Sequence, residues 1–117
     1  PLARARRMGV IAKRPLANVA WRNAARPADS YSRTYWSRLR TLDYASLREA
    51  PDRAVATALR FTLSVPGVHT AIVGTTKSGR WQENAALLHA GALPREEFER
   101  IRARWREVAD ASWVGQV

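Results

Sequence analysis

The stretch from Thr70 to Asn84 constrains the fold of this chain more than any other segment. It begins with a short β-rich run, Thr70 to Val73, which breaks at Gly74 and continues through a polar, basic turn into a helical segment. A strand that leads directly into a helix aims unpaired N–H groups and the positive end of the helix dipole at whatever lies above the strand. The pattern therefore predicts an anion-binding turn between a strand and a helix.

The side chains in and after this turn suit a nucleotide phosphate. They are Thr75, Thr76, Lys77, Ser78 and Arg80, followed by Glu83 and Asn84. Arg80 and Asn84 are four residues apart and share a helix face, and the planar guanidinium of arginine binds phosphate or stacks on a base. Glu83 and Asn84 can accept from and donate to a purine edge. The alternative is a surface helix with an ordinary Arg–Glu pair, and the residues alone leave it open.

Two common nucleotide motifs do not fit this segment. Gly74 and Gly79 have the glycine spacing of a Walker A loop, but Arg80 and Trp81 stand where that motif needs lysine and a hydroxyl residue. A Gly-x-Gly-x-x-Gly fingerprint is absent from the sequence. The sequence therefore argues against a P-loop NTPase and against a Rossmann dinucleotide site.

Composition limits the classes of protein to which the chain can belong. A length of 117 residues with 46% hydrophobic residues fits one globular domain or part of one. No apolar run reaches the roughly 18 residues of a membrane span, and no signal-peptide core follows the basic start. Cysteine is absent, which excludes disulfides and thiolate metal sites and favours a reducing, cytoplasmic location. We therefore expect no membrane partner.

The net charge of +10 is unevenly distributed. Residues 1–60 contain 13 basic and 4 acidic residues, whereas residues 61–117 contain 7 and 6. This asymmetry is compatible with a basic module that binds nucleic acid or an acidic partner. The arginines are scattered, however, and form no recognisable DNA or RNA module. Solvated arginine faces are the favoured interpretation, and nucleic acid is the less favoured partner.

The order of elements predicts a βαβ unit. Residues 10–12 and 68–73 form short apolar strands, and between them a helix begins at Pro51-Asp52 and ends at Pro66-Gly67. Strands joined by a crossover helix are parallel, and two parallel strands do not make a self-sufficient sheet. We therefore expect an α/β fold that is incomplete on its own. Its exposed strand edges should associate with a second copy or with a missing half.

Helical periodicity predicts further helices and their core faces. These are residues 31–39, a helix with Trp81, Ala85 and Leu88 on one face, and a helix from Pro94 whose core face is Phe98, Ile101, Trp105 and Val108. Trp81 and Trp105 are thus predicted to be core residues rather than base-stacking platforms. His69 precedes a strand and His89 ends a helix, and both are interpreted as structural or surface residues.

Three blocks of sequence, in order, resemble the C-terminal part of an aldo-keto reductase. They are Val10-Ile11-Ala12-Lys13-Arg14-Pro15-Leu16, then Ala58-Leu59-Arg60-Phe61-Thr62-Leu63-Ser64 with Pro66-Gly67-Val68, and Thr70-Ala71-Ile72-Val73-Gly74-Thr75-Thr76-Lys77 with Arg80, Glu83 and Asn84. The family shows a strand ending in Tyr-Ser-Pro-Leu, then Ala-Leu-Arg-Trp-x-Leu, then Ile-x-Gly-x-x-Lys and Glu-Asn. The blocks cover nearly the whole chain, and residues 17–42 match least.

The resemblance implies that residues 1–117 are the C-terminal part of a (β/α)₈ barrel that binds NADP(H) across the C-terminal ends of its strands. Gly74, Thr75, Thr76, Lys77 and Arg80 would hold the adenosine 2′-phosphate, with Glu83 and Asn84 at the adenine. Arg80 could also lie against the adenine. Arg14, Pro15 and Leu16 would run beside the pyrophosphate, largely through their backbone. Lys13 stands where the family commonly has an aromatic residue that stacks on the nicotinamide.

The resemblance also implies that the catalytic residues lie in a part of the barrel other than this chain. The family transfers a hydride to a carbonyl substrate without a metal, using an Asp, Tyr, Lys and His set from the first half of the barrel. No matching motif occurs in this sequence, so no catalytic residue is assigned, and the chain alone is expected to be inactive.

Overall fold

The structure, a computed structural model, describes residues 2–115. The two ends of the predicted span, residues 1–117, lie outside this range. A short helix α1 (Leu2–Ala5) leads into strand β1 (Ile11–Lys13), a 3₁₀ helix (Ala17–Arg22) and helix α2 (Ser30–Leu42). A second 3₁₀ helix (Ala45–Arg48) precedes helix α3 (Pro51–Ser64), strand β2 (Thr70–Ile72), helix α4 (Arg80–Leu88) and helix α5 (Arg95–Val108).

The two strands pair in parallel, and α3 connects them. Ile11 lies opposite Thr70, and Lys13 lies opposite Ile72. His69 extends the pairing at one end, because its backbone N–H donates to the carbonyl of Val10 (3.0 Å) and its Nδ1 accepts from the N–H of Val10 (3.1 Å). The predicted mixed α/β architecture with two parallel strands is confirmed, and His69 has the structural role that was expected.

One face of this small sheet is uncovered. Ile11 and Ile72 are 60% and 59% exposed, and they share a face because side chains alternate along a strand. Within residues 2–115 each strand also has one unpaired edge. The chain exposes 8246 Å² to solvent, compared with about 6,400 Å² for a folded monomer of this mass. The described structure thus leaves apolar surface that a larger fold or a second chain could cover.

The core is small and lies around α3. The buried apolar residues are Ala20, Leu42, Ala54, Leu59 and Leu93. Phe61 of α3 stacks on Phe98 of α5 with ring centroids 5.1 Å apart, which joins the two helices. Within the described chain no helix combines the length and the apolar character needed to cross a membrane.

The predicted core positions of Trp81 and Trp105 are wrong. Its side chain is 68% exposed, and that of Trp105 is 41% exposed. In the part of the chain that the structure describes, α4 packs mainly against α3, so the stripe that begins at Trp81 lines an open groove. Ala85 of the predicted face is exposed as well, and only Leu88 of that face is half-buried.

Acid should weaken α2 through its N-cap. Asp29 accepts a hydrogen bond from the backbone N–H of Ser32 (2.7 Å), and this bond lowers the pKa of Asp29 below its ordinary value of 3.8. A carboxyl group with a lowered folded-state pKa contributes stability above the unfolded value, and this contribution is lost as the pH falls through the folded value. We expect the urea midpoint of Asp29→Asn to fall less steeply than that of the wild type between about pH 5 and 2. Parallel curves would contradict this assignment.

Candidate functional site

The predicted strand–turn–helix unit is formed by β2, the turn after it and α4. Lys77 donates its backbone N–H to Oγ1 of Thr75 (3.1 Å), which tightens the turn. Gly79 has φ +79° and stands at the N-cap of α4, where the left-handed conformation favours glycine. No side chain caps this end of the helix. The first turn of α4 therefore begins close to the end of β2, as the sequence pattern predicts.

A cavity of about 500 Å³ lies beside this turn. Its walls come from the turn, from α4, from α3 and from the segment that follows β1. The lining residues are Leu16, Val19, Arg22, Val55, Val73, Gly74, Thr75, Thr76, Lys77, Arg80 and Asn84. Seven of the ten predicted site residues thus share one cavity, and Leu16 joins it from a segment more than fifty residues away along the chain.

Three predicted site residues do not line this cavity. Glu83 pairs with Arg80, with 2.7 Å between its Oε2 and Nη1 of the guanidinium. Pro15 contributes to a different cavity between α2 and α3. The guanidinium of Arg14 lies 4.3 Å from the ring centroid of Tyr31. The surface Arg–Glu pair that was weighed as the alternative does form, while Arg80 also faces the cavity.

The charge of the cavity suits an anion. Arg22, Lys77 and Arg80 line it, and no aspartate or glutamate of residues 2–115 does so. Grouped cations in a concave site raise the local concentration of an anionic ligand. The side chain of Arg80 is 32% exposed, so its charge is only partly screened by water. The arrangement can hold a phosphate between lysine, arginine and threonine hydroxyl groups.

Four cavity residues were not among the predicted site residues: Val19, Arg22, Val55 and Val73. Val19 follows Asn18 in a left-handed turn, with φ of 56° and 54°. This conformation costs roughly 1–2 kcal/mol per residue outside glycine, and it is least favourable for a branched side chain. The backbone is therefore strained at one wall of the cavity. No pattern in the sequence marks such a turn, and the cation of Arg22 reaches the site only through the fold.

Within the described residues no group of histidine, aspartate and glutamate side chains could hold a metal ion. Tyr44 donates its hydroxyl to the carbonyl of Ile101 (3.4 Å), and burial raises the pKa of this tyrosine. A tyrosine held in this way serves packing between the second 3₁₀ helix and α5 rather than proton transfer at the cavity.

Comparison with protein families, with curated proteins and with solved structures gives no match for this chain. The similarity of three blocks to aldo-keto reductases therefore stays an interpretation of the sequence. The geometry adds the grouping of the turn, α4 and the segment after β1 around one basic cavity. Any function assigned to the chain is a proposal built on that cavity.

Proposed function

We propose that the chain is the C-terminal, cofactor-binding part of an NADP(H)-dependent aldo-keto reductase with a (β/α)₈ barrel. The observation that carries this proposal is the basic cavity beside the C-terminal ends of both parallel strands. Leu16 lies shortly after β1, and Gly74 to Lys77 follow β2. In barrels and in open α/β sheets, ligands bind at the ends of the strands where these segments meet.

The residues of the cavity fit the adenosine end of NADP(H). Lys77 and Arg80 provide the charge, and Thr75 and Thr76 the hydroxyl donors, that a 2′-phosphate requires. Asn84 lies one turn beyond Arg80 and offers an amide that can donate to and accept from adenine. Glu83 holds one side of the Arg80 guanidinium and so restricts its orientation. When bound, the nicotinamide cofactor supplies the hydride for a carbonyl substrate.

The exposed sheet supports the proposal that further barrel strands complete the fold. In a closed barrel the inward face of every strand is packed against layers of other side chains. Ile11 and Ile72 form such a face here, and they are more than half exposed. The proton donor for carbonyl reduction would come from the completing strands. We therefore infer that the 117-residue chain binds weakly and does not turn over a carbonyl substrate.

The alternative function, a basic module for nucleic acid or an acidic partner, has weaker support. Several of the arginines donate to backbone carbonyls within the chain. Examples are Arg60 to Gly91 (2.8 Å) and Ala92 (2.7 Å), and Arg104 to Leu42 (2.9 Å). Guanidinium groups used in this way hold loops and helix ends together, which accounts for part of the basic composition. A salt-dependent shift of DNA by the chain would restore the alternative.

The proposed function is tested by titrating 2′,5′-ADP against the chain and against Arg80→Ala. We expect weak, saturable binding that Arg80→Ala reduces about 10- to 100-fold, since a charge-assisted bond to phosphate contributes roughly 1.5–3 kcal/mol. Isothermal titration calorimetry measures both affinities. The control ligand is 5′-AMP, whose weaker binding would point to the 2′-phosphate.

The matched control variant is Arg106→Ala. Arg106 lies on α5, pairs loosely with Glu99 (3.7 Å) and does not line the cavity. Arg106→Ala removes one positive charge from the chain, as Arg80→Ala does. Equal losses in the two variants would show that only net charge matters, and the absence of binding to the unaltered chain would remove the role given to Arg80.

A further inference from the structure

A second cavity, of about 460 Å³, lies on the other side of α3. It is lined by residues of α2, α3, α5 and the segment 113–115. Among residues 2–115 it shares no lining residue with the basic cavity. Val55 of α3 faces the basic cavity, whereas Ala58 and Phe61 of the same helix face this one. The two cavities are therefore separate sites, and the proposed nucleotide function does not use the second.

The walls of the second cavity are the apolar stripes of three helices. Aromatic rings dominate the lining, from Tyr35, Tyr44, Phe61, Trp105 and Trp113. Trp105 and Trp113 meet edge to face with centroids 5.4 Å apart. Helix packing normally leaves few voids larger than a water molecule, whose share of liquid volume is about 30 Å³. These stripes meet around a much larger volume, which falls in the range of about 300–1,000 Å³ typical of small-molecule sites.

Two polar side chains of this lining, those of Arg38 and Tyr44, are bonded to the protein backbone. Among the described residues that line this cavity, Arg38 is the one with a charged side chain. One nitrogen of its guanidinium donates to the carbonyl of Val114 (2.8 Å), and the group lies 5.4 Å from the ring centroid of Trp113. The hydroxyl of Tyr44 donates to the carbonyl of Ile101. The lining also contains the hydroxyl groups of Tyr35, Ser46 and Thr57, which suit a polar edge of a neutral ligand. A charged ligand would lose its hydration in a mainly apolar lining, which is costly.

We propose that this cavity binds a neutral, ring-containing, largely apolar small molecule. The aromatic walls offer stacked and edge-to-face contacts to such a ring. The segment from Ser112 to Gly115 covers one side, and Arg38 holds it in place through the carbonyls of Ser112 and Val114. The site is independent of nucleotide binding at Arg80.

The test uses 1-naphthol as the probe and the whole chain. Titration is followed by the indole N–H signals of the tryptophans in two-dimensional NMR. We expect saturable shifts at Trp105 and Trp113, which line the cavity, and none at Trp81, which lines the open groove beside α4. Shifts confined to Trp81 would overturn the proposal, as would the absence of saturation up to about 1 mM, the weak limit of specific binding.

Two variants with the same chemical change separate the cavity from the groove. Ala58→Phe places a ring in the cavity, and Ala85→Phe places one in the groove beside Trp81. We expect Ala58→Phe to weaken 1-naphthol binding by at least about tenfold and Ala85→Phe to leave it within about twofold, since a filled pocket cannot bury the ligand. Equal losses of 1-naphthol affinity in the two variants, or a larger loss in Ala85→Phe, would overturn the proposal. If Ala58→Phe does not fold, the indole shifts of the unaltered chain decide the question.

Discussion

Replacing Leu59 with alanine should lower the free energy of unfolding by about 2–4 kcal/mol, because the change removes buried methyl groups and leaves a cavity. The side chain of Leu59 is 2% exposed and lies on α3, the helix that packs against both β2 and α4. Few apolar residues of the described chain are buried as fully. A loss of this size is a large share of the stability of a small domain. Urea unfolding followed by circular dichroism measures it.

The control for this change is Leu2→Ala. Leu2 lies on α1 and is 65% exposed, so the same truncation removes little buried surface. We expect it to change the free energy of unfolding by less than about 0.5 kcal/mol. Similar losses at the two positions would mean that α3 is not the centre of a packed core.

Local signals in the sequence were sufficient to place α3 and the strand that follows it. Pro51 and Asp52 begin the helix, and the chain turns at Gly67, whose φ is +91°. The parallel pairing followed from the crossover, because a helix between two strands returns the chain in the same direction. β2 is shorter than the predicted residues 68–73, since β1 offers only three paired residues.

Long-range contacts account for the boundaries that the sequence did not predict. α2 continues to Leu42, beyond the predicted end at Leu39. Arg104 of α5 donates to the carbonyls of Leu42 (2.9 Å) and Thr41 (3.1 Å), which are last-turn acceptors without a helical partner. Arg104 is more than sixty residues away along the chain, so the sequence of residues 31–42 alone does not indicate this contact. The burial of Trp81 was mispredicted for a related reason, since periodicity does not say what lies opposite a helix face.

The residues of the candidate site also fall into two groups, those that local sequence predicts and those that long-range contacts bring in. Gly74, Lys77, Arg80 and Asn84 lie within eleven residues, so the strand–turn–helix pattern was enough to group them. The opposite wall, including Arg22, depends on how the strained segment after β1 folds back. The resemblance implies a backbone role for Arg14 beside the cofactor, and the structure adds that its guanidinium lies over Tyr31. Local patterns thus located the wall formed by the turn and α4, whereas only Leu16 of the facing wall was predicted, through the resemblance.

Arg60 should be among the most important of the structural arginines. It extends from α3 to the loop before α5, where its guanidinium donates to the carbonyls of Gly91 (2.8 Å), Ala92 (2.7 Å) and Ala90 (3.4 Å). Leu93, which follows Ala92, is buried in the core, so fixing this loop also positions a core side chain. We expect Arg60→Ala to lower the free energy of unfolding by about 1–3 kcal/mol, since three acceptors lose a charged donor. Urea unfolding measures this loss.

The stability loss in Arg60→Ala should come from the geometry of the guanidinium rather than from its charge. Two further variants separate these two contributions. Arg60→Lys keeps the charge but lacks the planar fork that reaches several carbonyls together, so it should recover less than half of the loss. Arg53→Ala removes an arginine from the same helix, where the side chain is 79% exposed and lies 3.9 Å from Glu49. An exposed pair of this kind contributes at most about 1 kcal/mol, and many contribute nothing measurable. Full recovery by lysine, or an equal loss at Arg53, would mean that the arginines of α3 act through charge alone, and the basic module would then regain support as a function.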